Sequence, residues 1–166
     1  MQTSTSTSAS PLSSTSASAA GIRYSALSLG LFFLMLGLAG FVPAFVAPPN
    51  FIPAAGFGYL FGLFPTNYFH NAIGILMGLW GIAAFTSLSS AIVFNRIFAI
   101  VYAASAIFGL LPWTNTLFGT IPLLGNNVWI NALAAGIAFY YGFVKSAAIP
   151  SIGSSPAQPT PESPAV

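Results

Sequence analysis

Apolar residues in this chain gather into four long runs, at about 24–46, 68–94, 97–113 and 128–144, separated by polar or Pro/Gly-broken stretches. Each run is near the ~17–25 residues that a helix needs to cross the hydrocarbon of a bilayer. None shows the alternation, over about ten residues, of a membrane barrel strand. Hydrocarbon offers no partner to a backbone N–H or C=O, so runs of this kind are predicted to satisfy their own backbone as helices. The expected fold is all-α, an integral membrane four-helix bundle of two tandem helical hairpins over residues 23–147. Residues 1–22 are Ser, Thr and Ala-rich and residues 148–166 Pro and Ser-rich. Neither flank offers enough apolar surface to offset the entropy of ordering it, and both are expected to be disordered tails. The first is Ser-rich and acid-free like a transit peptide but lacks the arginines, and it lacks the charged n-region of a secretory signal.

Composition narrows the class. Hydrophobic residues make up 56% of the 166, charged residues 2%, and the mean hydropathy is +0.87. Soluble domains carry about 25% charged residues, so a water-soluble fold is excluded. The few charges are informative by position. Arg23 precedes the first run, Arg96 lies between the second and third, Lys145 closes the fourth, and the single acid, Glu162, is in the C-terminal flank. Loops 47–67 and 114–127 hold no charge. With four spans the three cations share one side, and the positive-inside rule then places both termini in the cytoplasm. Tyr24, Trp113 and Trp129 fall at run ends, where interfacial aromatics belong. Three dispersed cations make no nucleic-acid footprint. The absence of cysteine removes disulfides and thiolate metal sites.

The runs repeat. Gly40-Phe41-Val42-Pro43 matches Gly109-Leu110-Leu111-Pro112, and Leu60-Phe61-Gly62-Leu63-Phe64-Pro65 matches Leu117-Phe118-Gly119-Thr120-Ile121-Pro122. An Asn-x-x-x-Asn phrase opens each following helix, Asn67/Asn71 and then Asn127/Asn131, and each half begins with its arginine. Two halves with even span counts share an orientation and relate by an axis along the membrane normal. The first loop is longer, with an uncharged insert over 44–59 expected to rest on the headgroups. His70 has Ile130 as its counterpart. The stretch Gly62-Leu63-Phe64-Pro65-Thr66-Asn67-Tyr68-Phe69-His70-Asn71, followed by Gly74, Gly78 and Gly81, resembles the signature of an uncharacterised bacterial family of small four-span membrane proteins. That family is known only as a domain of unknown function. The resemblance runs from Arg23 to Lys145 and implies a multi-pass protein of a bacterial inner or internal membrane, with no activity to inherit. Members often carry a second histidine in the later repeat, where the Asn126-Asn127-Val128-Trp129-Ile130-Asn131 stretch of this chain has none.

Candidate chemistry is sparse. Without Asp or Cys, and with Glu162 in a tail, no carboxylate pair, triad or Glu-x-x-His site can be assembled. One histidine cannot fill a metal site, so no cofactor or metal is expected. His70 would occupy N3 of a helix capped by Asn67, neutral and hydrogen-bonded back toward the cap. The competing assignment is axial ligation of a tetrapyrrole, which needs a single imidazole. Asn67 and Asn127 are expected as N-caps. Asn71 and Asn131, one turn deeper, are expected to tie the hairpins together, or else to line a polar vestibule. Ala26/Gly30, Gly74/Gly78, Ser105/Gly109 and Ala132/Gly136 give each helix a small-xxx-small face for close packing or self-association. Thr86, Ser87, Ser89 and Ser90 are expected to bond their own i−4 carbonyls, and Trp80 to face protein.

Three functions compete. The leading one is a non-enzymatic accessory or structural membrane protein that acts through helix packing with membrane partners or with itself, in contact with the lipid bilayer and with no nucleic acid. The second is a pore or carrier for a small neutral solute. The third is a tetrapyrrole-binding protein using His70.

Overall fold

The computed structural model describes residues 11–49 and 57–149. Four helices dominate it: α1 (Pro11–Ala39), α2 (Tyr68–Ala84), α3 (Leu88–Leu110) and α4 (Asn126–Phe139), the last continued by a π-helical segment, Tyr140–Lys145. α1 packs chiefly on α2 and α3 chiefly on α4, so the bundle is two hairpins in tandem. The segments Thr15–Ala39, Leu88–Leu110 and Asn126–Lys145 are long and apolar enough to cross a membrane, and α2 is a shorter apolar helix of 17 residues.

Helix boundaries depart from the sequence expectation in instructive ways. α1 begins at Pro11 rather than near Tyr24, so residues 11–22, expected to be part of a disordered tail, are helical. Proline is tolerated in a first turn, the following Ser/Ala stretch holds no breaker before Gly21, and extending a nucleated helix is cheap per residue. Ile22 is fully buried and Ile149, also placed in a tail, packs on the core. Residues 1–10 and 150–166 lie outside the described residues. The second apolar run is cut at Ala84 rather than at Phe94, which places Arg96 inside α3 instead of in a turn. The reason is local. Ser87 adopts extended backbone and its hydroxyl accepts a hydrogen bond from Ser90 N at 3.1 Å, capping α3. Thr86 Oγ1 donates to Ala83 O, an i−3 carbonyl. Ser105 Oγ donates to the i−4 carbonyl of Val101 within an apolar span.

The described residues between α1 and α2 form a small antiparallel sheet that the all-α expectation missed. A 3₁₀ turn, Pro43–Phe45, leads into β1 (Val46–Ala47), which pairs with β2 (Gly58–Leu60), and β2 pairs with β3 (Phe64–Thr66). Leu60 faces Val46 on one side and Phe64 on the other. The β2–β3 turn has positive φ at Phe61 and Gly62 and closes by Leu63 N donating to Leu60 O. The loop after α3 repeats it: Phe118 and Gly119 have positive φ and Thr120 N donates to Leu117 O. Both central positions left-handed is the conformation that favours glycine at the second. The shared Leu-Phe-Gly phrase therefore encodes a shared turn.

Between helices the contacts are close. A β-carbon on Gly30 would lie 2.8 Å from Gly78 O, and one on Gly81 would lie 2.7 Å from Ala26 O. Such approach is what small residues permit where no hydrophobic effect drives helices together. Gly109 likewise meets Leu123 O of the second loop. Ala132 and Gly136 differ: both are exposed, and a β-carbon on Gly136 meets nothing within 4 Å. That small face is open among the described residues. In the centre, Phe98 stacks on Tyr102 at 3.9 Å and Phe33 meets both edge-on, at 5.3 and 4.6 Å. Trp80 stands edge-on to buried Phe94 at 5.1 Å.

Candidate functional site

Polar side chains collect at the two ends of the bundle. At the basic end, Arg23 Nε donates to Phe85 O at 2.7 Å with its guanidinium 4.9 Å from the Phe85 ring centroid. Arg96 Nε donates to Gly142 O at 2.8 Å and lies 5.5 Å from the Phe143 ring. Each arginine thus meets a carbonyl at the C-terminal end of its partner helix, where the backbone dipole is negative. Arg96 also donates to Ser146 Oγ at 3.3 Å. Lys145 differs. Its ammonium lies over Tyr141 at 5.7 Å and has no hydrogen bond or ion pair among the described residues. Between the arginines sits a residue that reading the sequence passed over. Asn95, fully buried, donates to Ile22 O at 3.2 Å and Ala91 O at 2.8 Å and accepts from Ser25 Oγ at 3.0 Å. It bridges α3 to α1. A lone Asn inside an apolar run, beside Arg96, was the available signal.

At the opposite end the asparagines assemble, in roles partly other than expected. Asn67 caps α2: its Oδ1 accepts from His70 N at 2.8 Å. Its Nδ2 donates to Thr120 O at 2.8 Å, across to the second hairpin. Asn127 is no cap. That position is Gly125, with φ of 66° and no side-chain bond, so Asn127 sits inside α4 and donates to Pro65 O and Pro122 O, both at 2.7 Å. Asn126 donates to Leu63 O at 3.1 Å. The hairpins are therefore laced by Asn67, Asn126 and Asn127 reaching into each other's loops. Asn71, expected to bridge them, instead works within the first hairpin, donating to Gly40 O at 2.8 Å and accepting from Thr66 Oγ1.

Asn71 and Asn131 both line one space. A cavity of about 40 Å³ lies between the hairpins, lined by Thr66, His70, Asn71, Asn127, Ile130 and Asn131 above Phe33 and Gly37. Its size suits a water-sized occupant. His70 contributes an Nδ1 that is buried without a hydrogen-bond partner among the described residues, so the expected bond back to the cap is not made. No group of three or more metal-binding side chains occurs among the described residues. Trp113 and Trp129 are 82% and 71% exposed and Tyr24 59%, outward at the bundle ends.

The family model "Domain of unknown function (DUF4383)" matches residues 23–144. The chain belongs to that family. Comparison with curated proteins and with solved structures gave no match. The DUF4383 match begins at Arg23 and takes in both arginine contacts, Asn95, both Leu-Phe-Gly turns and the whole cavity lining. Lys145 lies immediately beyond it. A domain of unknown function lends no activity, so the geometry has to carry the functional argument.

Proposed function

We propose that this DUF4383 protein is a non-enzymatic, four-span component of a bacterial inner or internal membrane, acting as an accessory or structural element through helix packing with membrane partners. The observation that carries the reading is the small face left over on α4. Ala132 and Gly136 line an open groove of about 470 Å³ between α3 and α4, with Ala99, Ala103 and Ala106 opposite. Closely spaced small residues let a further helix approach to backbone contact, as Gly30 and Gly78 do within the first hairpin. That no catalytic set exists among one His, one acid and no Cys supports the non-enzymatic reading.

Four spans, rather than three, are supported by the course of α2. Its length runs beside α1 from Asn71 at Gly40 to Phe85 at Arg23, so whatever depth that stretch of α1 occupies, α2 occupies too. Four spans put both termini on the basic side, which the positive-inside rule makes cytoplasmic. The paired arginine contacts and paired turns support a duplicated hairpin. A carrier for a neutral solute has the polar cavity in its favour, limited to water-sized cargo. Among the described residues, the cavity beside His70 is about 40 Å³, far smaller than a tetrapyrrole.

The chain is free of cysteine, so Ala132→Cys and Gly136→Cys offer single reactive sites in native membranes. Thiol crosslinking from either position is expected to yield a discrete higher-mass species, lost when Gly136→Leu is added to Ala132→Cys. A crosslinking pattern without a discrete species, while sites on packed faces stay unreactive, would remove the basis for partner packing.

A further inference from the structure

A second groove, of about 510 Å³, lies on another side of the bundle between α1 and α4, and it is built differently. Its α1 wall runs from Gly21 to Phe32 and its α4 wall antiparallel to it, from Tyr141 back to Ile130. Eleven residue steps of helix extend roughly 16 Å. That is about half of the ~30 Å hydrocarbon thickness, the depth of one leaflet. The deep part is apolar, with Leu29, Phe32, Ile130 and Leu133, while Tyr24 and Tyr141 bring hydroxyls toward the other end and Ser28 lies between.

The ammonium of Lys145 completes that polar end. A β-carbon on Gly21 would lie 3.3 Å from Tyr141 Cε1 and 3.6 Å from Lys145 Nζ, so the lysine reaches the mouth of the groove. Arg23 and Arg96 each give Nε to a backbone carbonyl, whereas Lys145 lies over the face of Tyr141 and makes no hydrogen bond among the described residues. Among the described residues no acid exists to balance it. A cation with flanking hydroxyls at the basic end, above an apolar slot one leaflet deep, is complementary to an amphiphile with an anionic head and an acyl tail.

We propose that the α1–α4 groove is a binding site for one anionic phospholipid of the leaflet on the basic side, its acyl chain between Leu29 and Leu133 and its phosphate at Lys145 and Tyr141. The site lies apart from the α3–α4 groove and does not depend on it. The lipid occupies a face that the weakly packed α1–α4 pair leaves open, and so holds the two hairpins together from outside.

The test is native mass spectrometry of the full chain from mild detergent, with phosphatidylglycerol and phosphatidylcholine of equal chain length added in competition. One phosphatidylglycerol is expected to be retained preferentially. Lys145→Gln should reduce that preference about fivefold, the effect of one lysine at an anionic surface. Ser28→Trp, which fills the slot from an exposed position, should abolish retention while thermal unfolding stays near wild type. Leu76→Trp, on an exposed position of α2, is the matched control and should retain the lipid. Equal retention of the two lipids by wild type overturns the proposal, as does a phosphatidylglycerol preference that survives both groove variants. A retained second copy of the chain, or no retained lipid because the terminal segments fill the groove, overturns it as well.

Discussion

Two glycines in the same sequence motif are expected to answer the same substitution with opposite signs. Gly78 lies on the α1–α2 contact, and a β-carbon there would sit 2.5 Å from Leu34 N, 2.6 Å from Leu34 Cβ and 2.7 Å from Gly30 O. These neighbours are backbone or Cβ atoms, which cannot rotate away. Ordinary van der Waals contact begins near 3.4 Å, so Gly78→Ala forces α1 and α2 apart by up to about 1 Å, and a gap of that size forfeits a quarter to a half of each contact along the seam. Overpacking of this kind costs about 1–3 kcal/mol, against which the better helix propensity of alanine returns about 1 kcal/mol. The net expectation is a loss of up to about 2 kcal/mol. Gly136→Ala meets nothing within 4 Å, so only the propensity gain of up to about 1 kcal/mol remains. Reversible unfolding in mixed micelles, followed by far-ultraviolet circular dichroism on purified monomer, measures both. A Gly78→Ala that stabilises as much as Gly136→Ala, or a Gly136→Ala as damaging as Gly78→Ala, would refute the assignment of one glycine to the interior and the other to the surface.

Three further outcomes follow from the polar ends. Asn95→Ala should cost about 2–4 kcal/mol, since it removes two interhelical hydrogen bonds and leaves a cavity, while Asn95→Leu should cost less because leucine fills that cavity; a neutral Asn95→Ala in the same unfolding assay would contradict the bridge. His70→Leu should change stability by no more than about 1 kcal/mol, because the ring loses its interaction with the Pro65 backbone while a buried Nδ1 without a hydrogen bond among the described residues gives way to apolar volume, and the visible absorption of protein purified from native membrane should not change; a larger loss of stability, or a stoichiometric Soret band in the wild type that His70→Leu removes, would show that Nδ1 has a partner. Reporters active only in the cytoplasm, fused to either terminus, should both give signal, and signal from one alone would refute four spans.

How much of this was legible in the sequence differs from residue to residue. The apolar runs and the charge pattern announced helices, hairpin pairing and a single basic end, because hydrocarbon leaves a long apolar segment no other backbone solution. Repeated phrases with a local mechanism carried through as well: Leu-Phe-Gly makes the same left-handed turn twice, and Asn67 caps α2 over a distance of three residues. Asn127 shows the limit. Its spacing to Asn131 copies that of Asn67 to Asn71, yet Gly125 takes the first position of the helix and frees the amide to reach Pro65 in the other hairpin. The same holds for Ser87, whose cap depends on where one chain segment turns, and for Asn95, whose partners are supplied by α1. Ala132 and Gly136 read identically to Gly74 and Gly78 in the sequence, and only the packing of α3 on α4 turns one pair outward. Sequence determines what a segment can do with its own neighbours along the chain, since those distances are set by covalent geometry and helical period. Which polar atoms find partners, which small faces are filled and which grooves stay open depend on contacts between segments far apart in the chain, and these exist only once the helices have chosen how closely to approach one another.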